Sequence, residues 1–363
     1  MGPPEVAWFS ALCDDDYEYL GVPDPGLASS WDHCRAITVA AESHGYDSIL
    51  LPSGYTLGID SVAFAAAVAT QTRRINLLLA VRMGEMVLPQ LARQLATVDQ
   101  ISGGRLVLNV ISSDVPGQSL SGPDRYRRTL ESMAGLRTLM ECRHLQTAGR
   151  FVQLDLDPPA VTATSGRCPP FYFGGLSDEA KECAAAGADV YLMWPDVPAA
   201  VATVVSDMTD RARRWGRTLR FGWRSHVIVR ETEAEARDAA RRLVSRLEAT
   251  AGADIRSRSL DAASAGVARQ AQLRAEADSD GYVSRHLWTG VGRARSGAGA
   301  AIVGDPDQVL ATLQELTMAG VESFILSGYP HLAECDLFAR HVLARMEHGP
   351  LDVVVQPVGS VDG

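Results

Sequence analysis

Eight short apolar runs, separated by longer amphipathic stretches, constrain this chain more than any other feature. Such alternation builds parallel strands joined by covering helices. The runs are Val6–Ser10, Ser48–Pro52, Ile75–Val81, Leu106–Ile111, Pro170–Phe173, Val190–Trp194, Phe221–Val229 and Ser323–Leu326. Eight such units predict an α/β fold of the TIM type, a (β/α)₈ barrel, and 363 residues hold one barrel with an insertion. The unbroken run from Ile75 to Val81 suits a strand covered on both faces. Helices are expected over Asp60–Thr72 and Leu88–Ile101, where Ala, Leu and Val recur on one face. Another is expected from Asp305-Pro306, an N-cap followed by proline, through Leu316, with a turn at Gly320.

The expected organisation is a single barrel domain over residues 1–348 and a C-terminal tail over 349–363. Residues 252–301 break the rhythm between the seventh and eighth strands, with Gly, Ser and Arg where a clean strand would stand, and read as a lid-like insertion. Its Arg256, Arg258, Arg269, Arg274, Arg285, Arg293 and Arg295 are candidate anion ligands, a solvated surface being the commoner outcome.

Charge and cysteine usage narrow the function. Thirty-four basic residues against 44 acidic ones leave a net charge of -10, which supplies no overall field for nucleic acid. No stretch approaches the roughly 18 uncharged apolar residues of a spanning helix. The first ten residues lack the pattern of a secretory signal, so a cytoplasmic protein is expected. Six cysteines without a Cys-x-x-Cys pair argue against a disulfide framework or a zinc site, and no metal is expected. Gly297-Ala298-Gly299 lacks the third glycine and the preceding strand of a dinucleotide fingerprint.

Barrel enzymes place their chemistry at the C-terminal ends of the strands. After the fifth strand, Gly174-Gly175-Leu176-Ser177 can cradle a phosphate at a helix N-terminus, or can be a plain turn with Ser177 as the cap. On the seventh strand, a period of two puts Arg224 and His226 on one face. If both point inward they need partners, either an anionic ligand or an internal ion pair to a barrel carboxylate. Tyr329, after the eighth strand, is a phenol donor or a packing plug. Cys13 and the run Asp14-Asp15-Asp16 read as an idle thiol and solvated charge. His33, His44, His144, His341 and His348 read as surface residues.

Taken together, Ala7-Trp8-Phe9, Ala92–Asp99, Tyr172–Gly175, Tyr191–Trp194, Arg220–Thr232, Leu287–Gly292, Gly297–Asp305 and Ser323–Leu332 resemble the bacterial luciferase-like flavin monooxygenases, most closely their alkanesulfonate branch. The resemblance covers about nine-tenths of the chain. It implies FMN used as FMNH2, delivered by a separate NAD(P)H-dependent reductase, with O2 as co-substrate, and a homodimer or homotetramer. A flavin peroxide would oxygenate a small organic substrate such as an organosulfonate, giving aldehyde and sulfite. By matching positions, Arg224, His226, Tyr329 and Arg295 would be catalytic, Arg295 swinging in as the lid closes. Ser112, Tyr126, Gly175, Leu176, Ser177 and Trp194 would contact the flavin. The chain departs from that branch at Leu12 or Cys13, at Leu57-Gly58 and at Leu176, which points to a more apolar substrate pocket. Three other functions fit the superfamily: a flavin monooxygenase of another substrate, a deazaflavin-dependent hydride-transfer enzyme, and a non-catalytic flavin-binding protein.

Overall fold

A closed ring of eight parallel strands, wrapped by helices, forms the body of the molecule. The computed structural model describes residues 2–13, 15–257 and 264–359, so Asp14 and Arg258 lie outside the described residues. The barrel strands are, in order, Glu5–Phe9, Ser48–Leu51, Asn76–Arg82, Leu106–Ile111, Phe171–Phe173, Val190–Met193, Arg220–Val229 and Ser323–Ser327. All eight expected strands are present, with no end displaced by more than one residue. The ring closes where the first strand pairs with the eighth, Glu5 opposite Ser323, and where the sixth pairs with the seventh, Tyr191 opposite Phe221.

Its interior is filled by side chains, among them Ala7, Phe9, Leu50, Leu78, Tyr172, Val190 and Ile325. At the N-terminal end a buried carboxyl, Glu5, accepts hydrogen bonds from Tyr172 (2.8 Å) and from Ser48 and Ser323. Leu351 and Val353 of the C-terminal segment pack against the interior cluster, and Arg137 and Arg217 bind the Gln356 and Pro357 carbonyls.

Local sequence explains the helices around the ring. Helix Leu88–Ser102 starts with Pro in its first turn and stops at Gly103, whose φ of 71° favours a residue without a Cβ. Helix Pro306–Met318 opens with a capping box in which Asp305 and Gln308 satisfy each other's backbone N–H groups.

The seventh strand is twice the length of most others, and it changes partner. Residues 220–223 pair with the sixth strand, whereas His226–Val229 pair with a short parallel strand, Ala301–Gly304, that lies between the seventh and eighth barrel strands. The segment expected as an insertion is spanned by helices Ala249–Ser257, which starts three residues ahead of it, and Ala265–Ala275. It is tied down by Arg269, bidentate on Asp196 at 2.7 and 2.8 Å, and by Gln270, which bonds the Pro195 carbonyl and the Gly299 N–H. Arg269 and Arg274 thus hold this segment to the barrel and to itself, and both are half-buried where the sequence suggested a solvated surface. Among the described residues no helix is long and apolar enough to cross a membrane.

Candidate active site

Two polar groupings occupy the C-terminal end of the barrel. The first is a cavity of about 360 Å³ beyond strands four, five and six, and Ser112, Tyr126, Gly175, Leu176, Ser177 and Trp194 all line it. Three helices begin at its wall: Gly122–Met140, Asp178–Gly187 and Ala265–Ala275, capped by Ser121, Ser177 and Ser264. Converging N-termini direct free N–H groups and positive dipole ends into one space, which favours an anion such as phosphate.

Gly175 is held there by the Tyr191 phenol, which donates to its carbonyl at 2.6 Å. Its φ is 152°, and a Cβ would lie 2.6 Å from that of Ala180, so a side chain would fill the cradle and strain the turn. Ser177 also fulfils the plainer expectation, since its hydroxyl accepts from the Ala180 N–H at 3.2 Å. Ser112 is fixed by Thr129 at 2.7 Å, and Trp194 packs against Gly266 of the insertion.

The second grouping unites Arg224, His226, Arg295 and Tyr329 beside the first and eighth strands. Ser327 joins the first two: its Oγ accepts from Arg224 Nη2 at 2.8 Å and lies 2.8 Å from His226 Nδ1. Arg224 has only donors to offer, so the Ser327 proton is left for Nδ1, which places the His226 proton on Nε2. No side chain among the described residues bonds that buried Nε2, and the backbone of Ala298 is the ring's other polar neighbour. Burial, reinforced by repulsion from Arg224 and Arg295, holds the His226 pKa well below 6.5, so the ring is neutral.

Arg224 is 4% exposed, its guanidinium stacked 4.5 Å from the Phe9 ring, and among the described residues no carboxylate pairs with it. The ion-pair alternative is therefore not what the described residues show. Burial, with Arg295 repelling it, lowers the Arg224 pKa to about 9. Tyr329 stacks on His226 with ring centroids 5.0 Å apart and accepts from Arg295 at 2.8 Å, leaving its own proton to donate. Burial raises the Tyr329 pKa, so the phenol stays protonated at neutral pH.

Arg295 is bound within the site by Asp15 as well as Tyr329. Burial alone would lower its pKa, but Tyr329 and Asp15 outweigh that and raise it. The geometry can hold an anion, donate protons and exclude water.

Several sequence expectations are corrected here. Asp15 and Asp16 are not solvated: Asp15 pairs with Arg295, and Asp16 is 4% exposed. His33 is not a surface residue but bonds Asp16 at 2.8 Å. The Asp16 carboxyl also binds His331, a site neighbour that the sequence singled out only as part of a motif. Leu12 is fully buried and its carbonyl accepts from Ser29. Burial pushes the Cys13 thiol up to about 12, which leaves it an unreactive thiol at neutral pH.

Comparison with known proteins agrees with the architecture. The model of the luciferase-like monooxygenase family matches residues 17–323. A sulfoquinovose monooxygenase of Novosphingobium aromaticivorans is 60% identical over 96% of this chain and 98% of that one. Another, from Agrobacterium fabrum, is 47% identical over 94% and 90%. Among solved structures, a long-chain alkane monooxygenase superposes with a TM-score of 0.74 at 15% identity, covering 95% of this chain and 91% of the other, which speaks to the fold alone. With the barrel closed, the polar residues gathered at its C-terminal mouth and the family model spanning most of its length, this chain belongs to the luciferase-like monooxygenases.

Proposed function

We propose that this monooxygenase is the oxygenase of a two-component system that uses reduced FMN and O2 to desulfonate a sulfonated sugar of the sulfoquinovose class, giving a carbonyl product and sulfite. The reading rests on one observation above the others: two buried groups, the unpaired Arg224 guanidinium and the Nε2–H of His226, are joined through Ser327 and have no protein anion to serve among the described residues. A sulfonate is the kind of anion such donors hold. Relatives at 60% and 47% identity that are sulfoquinovose monooxygenases support the substrate class.

The cradle of Gly175, Leu176, Ser177 and Tyr126 would hold the phosphate end of FMN, with Ser112 and Trp194 beside it. When bound, reduced flavin supplies the activation of O2. The protein's own residues do the rest. Arg224 and Arg295 hold negative charge, Tyr329 and His226 present protons at their Oη and Nε2 atoms, and the insertion excludes water. A separate reductase and an even-numbered homo-oligomer belong to the same reading.

Mixing the protein, chemically reduced FMN, O2 and sulfoquinovose tests it directly. Stoichiometric sulfite, absent without substrate and lost in Arg224→Met, is the expected result. Oxygenated product without sulfite would move the enzyme to another substrate class. Substrate turnover without O2 consumption would replace the proposal with hydride transfer.

A further inference from the structure

Behind the site stands a chain of three side chains to which no function has been given above. Asp16 Oδ1 accepts from the backbone N–H of Tyr17 and of His331, each at 2.9 Å, and lies 2.9 Å from His331 Nδ1. Its Oδ2 lies 2.8 Å from His33 Nε2. The side chains of Asp16 and His331 have no exposure and that of His33 has 11%. Although burial opposes ionisation, His331 and His33 hold the Asp16 carboxyl below the usual carboxylate range. An ionised carboxylate only accepts, so both imidazole nitrogens facing it carry protons.

His331 is thereby fixed with hydrogen on Nδ1, and its buried Nε2 has no partner among the described residues. The ring sits within the site, 5.0 Å from Tyr329 and 5.4 Å from Phe9. Arg224 and Arg295 lie over that same Phe9 ring. Its backbone is pinned as well, since Trp8 Nε1 donates to the His331 carbonyl at 3.1 Å. The site therefore contains two histidines whose Nδ1 atoms meet opposite partners: a serine hydroxyl at His226 and a carboxylate at His331.

We propose that Asp16 is a positioning residue that locks His331 as the base of the site, and that His331 takes the proton whose loss expels sulfite. This rests on the desulfonation proposed above. Once the sulfonate-bearing carbon carries a hydroxyl group, His331 Nε2 removes the O–H proton. The C–O bond becomes C=O, and the C–S bond breaks with its electron pair leaving on sulfur as sulfite. The step is redox-neutral, and the proton stays on an imidazolium neutralised by Asp16. Arg224 and Arg295 accept the departing anion, while Tyr329 and His226, the other titratable groups facing His331, remain neutral.

Two measurements test this. In the ligand-free protein, ¹⁵N NMR of the imidazoles near pH 7 is expected to show His331, assigned by its loss in His331→Asn, with hydrogen on Nδ1 only. The lock is expected to be absent in Asp16→Asn. In turnover, Asp16→Asn is expected to lower the rate of sulfite release about 100-fold or more and to displace the acidic limb of the pH profile, with flavin affinity unchanged. A neutral His331 with its hydrogen on Nε2 in the wild type would overturn the lock even if Asp16→Asn did not fold, and a His331 protonated on both nitrogens near pH 7 would overturn its role as the base. An Asp16→Asn enzyme with the wild-type rate and profile would overturn the role in elimination. No sulfite from the wild type would instead remove the functional reading, and with it the elimination step, while the NMR result still decides what Asp16 positions.

Discussion

Removing the Ser327 hydroxyl separates the two halves of the donor cluster. In Ser327→Ala the methyl cannot accept from Arg224 Nη2 or donate to His226 Nδ1, both 2.8 Å away, and the side chain has no exposure to water. Hydrogen bonds to a charged group contribute about 1.5–3 kcal/mol and neutral ones about 0.5–1.5 kcal/mol, so the substitution is expected to cost about 2–4 kcal/mol. Ser225, equally buried, is the matched comparison. Its hydroxyl donates to the Ala300 carbonyl at 3.0 Å, but that carbonyl also accepts from His226 N–H at 3.0 Å and keeps a partner when the hydroxyl is lost. Ser225→Ala is therefore expected to cost only about 1 kcal/mol. Parallel urea unfolding of the two variants and the wild type gives the difference, and sulfite release gives the functional counterpart. Ser327→Ala is expected to lose about 100-fold in turnover because the His226 tautomer is no longer specified, with Ser225→Ala near wild type. If the two alanine variants are equally stable and equally active, the reasoning about the shared hydroxyl fails.

Gly175→Ala is expected to weaken FMN binding at least about tenfold, read by quenching of flavin fluorescence, because its Cβ would meet Ala180 at 2.6 Å and the backbone sits at a φ of 152°. Below pH 6.5 the unfolded chain protonates His226 while the fold keeps it neutral, so this residue's contribution to stability is present above that pH and lost as pH falls. Its loss has a limiting slope of about 1.4 kcal/mol per pH unit. His226→Gln is expected to flatten the decline between pH 6.5 and 5 in unfolding experiments, relative to wild type. Arg269→Ala breaks the bidentate tie to Asp196 and is expected to raise proteolytic cutting within the insertion several-fold while the barrel stays folded, as limited trypsinolysis followed by mass spectrometry would show.

Much of this molecule was legible from local pattern. Apolar runs gave all eight strands, because a strand covered on both faces must be apolar throughout, as Leu77–Val81 is. The period of two placed Arg224 and His226 on one face, and both are buried. Asp16 and His33 were misread for one physical reason. An acidic run and a histidine on an amphipathic helix are ordinarily solvated, and what buries them is a histidine 315 positions away from Asp16, brought in by closure of the first strand on the eighth. Ser327 escaped notice because a hydroxyl declares its role only through the two cations or rings it touches. The insertion arginines were likewise ambiguous, since Asp196, the partner of Arg269, is 73 residues distant.

The seventh strand's change of partner has a mechanical meaning. Between Trp223, the last residue registered with the sixth strand, and His226, the first registered with Ala301, lie only Arg224 and Ser225. That places the donor pair at a fork in the sheet, one prong being barrel wall and the other the short strand Ala301–Gly304. Arg224 and His226 stand on either side of that fork, so the spacing of the two donors is set by the barrel wall and the added strand together.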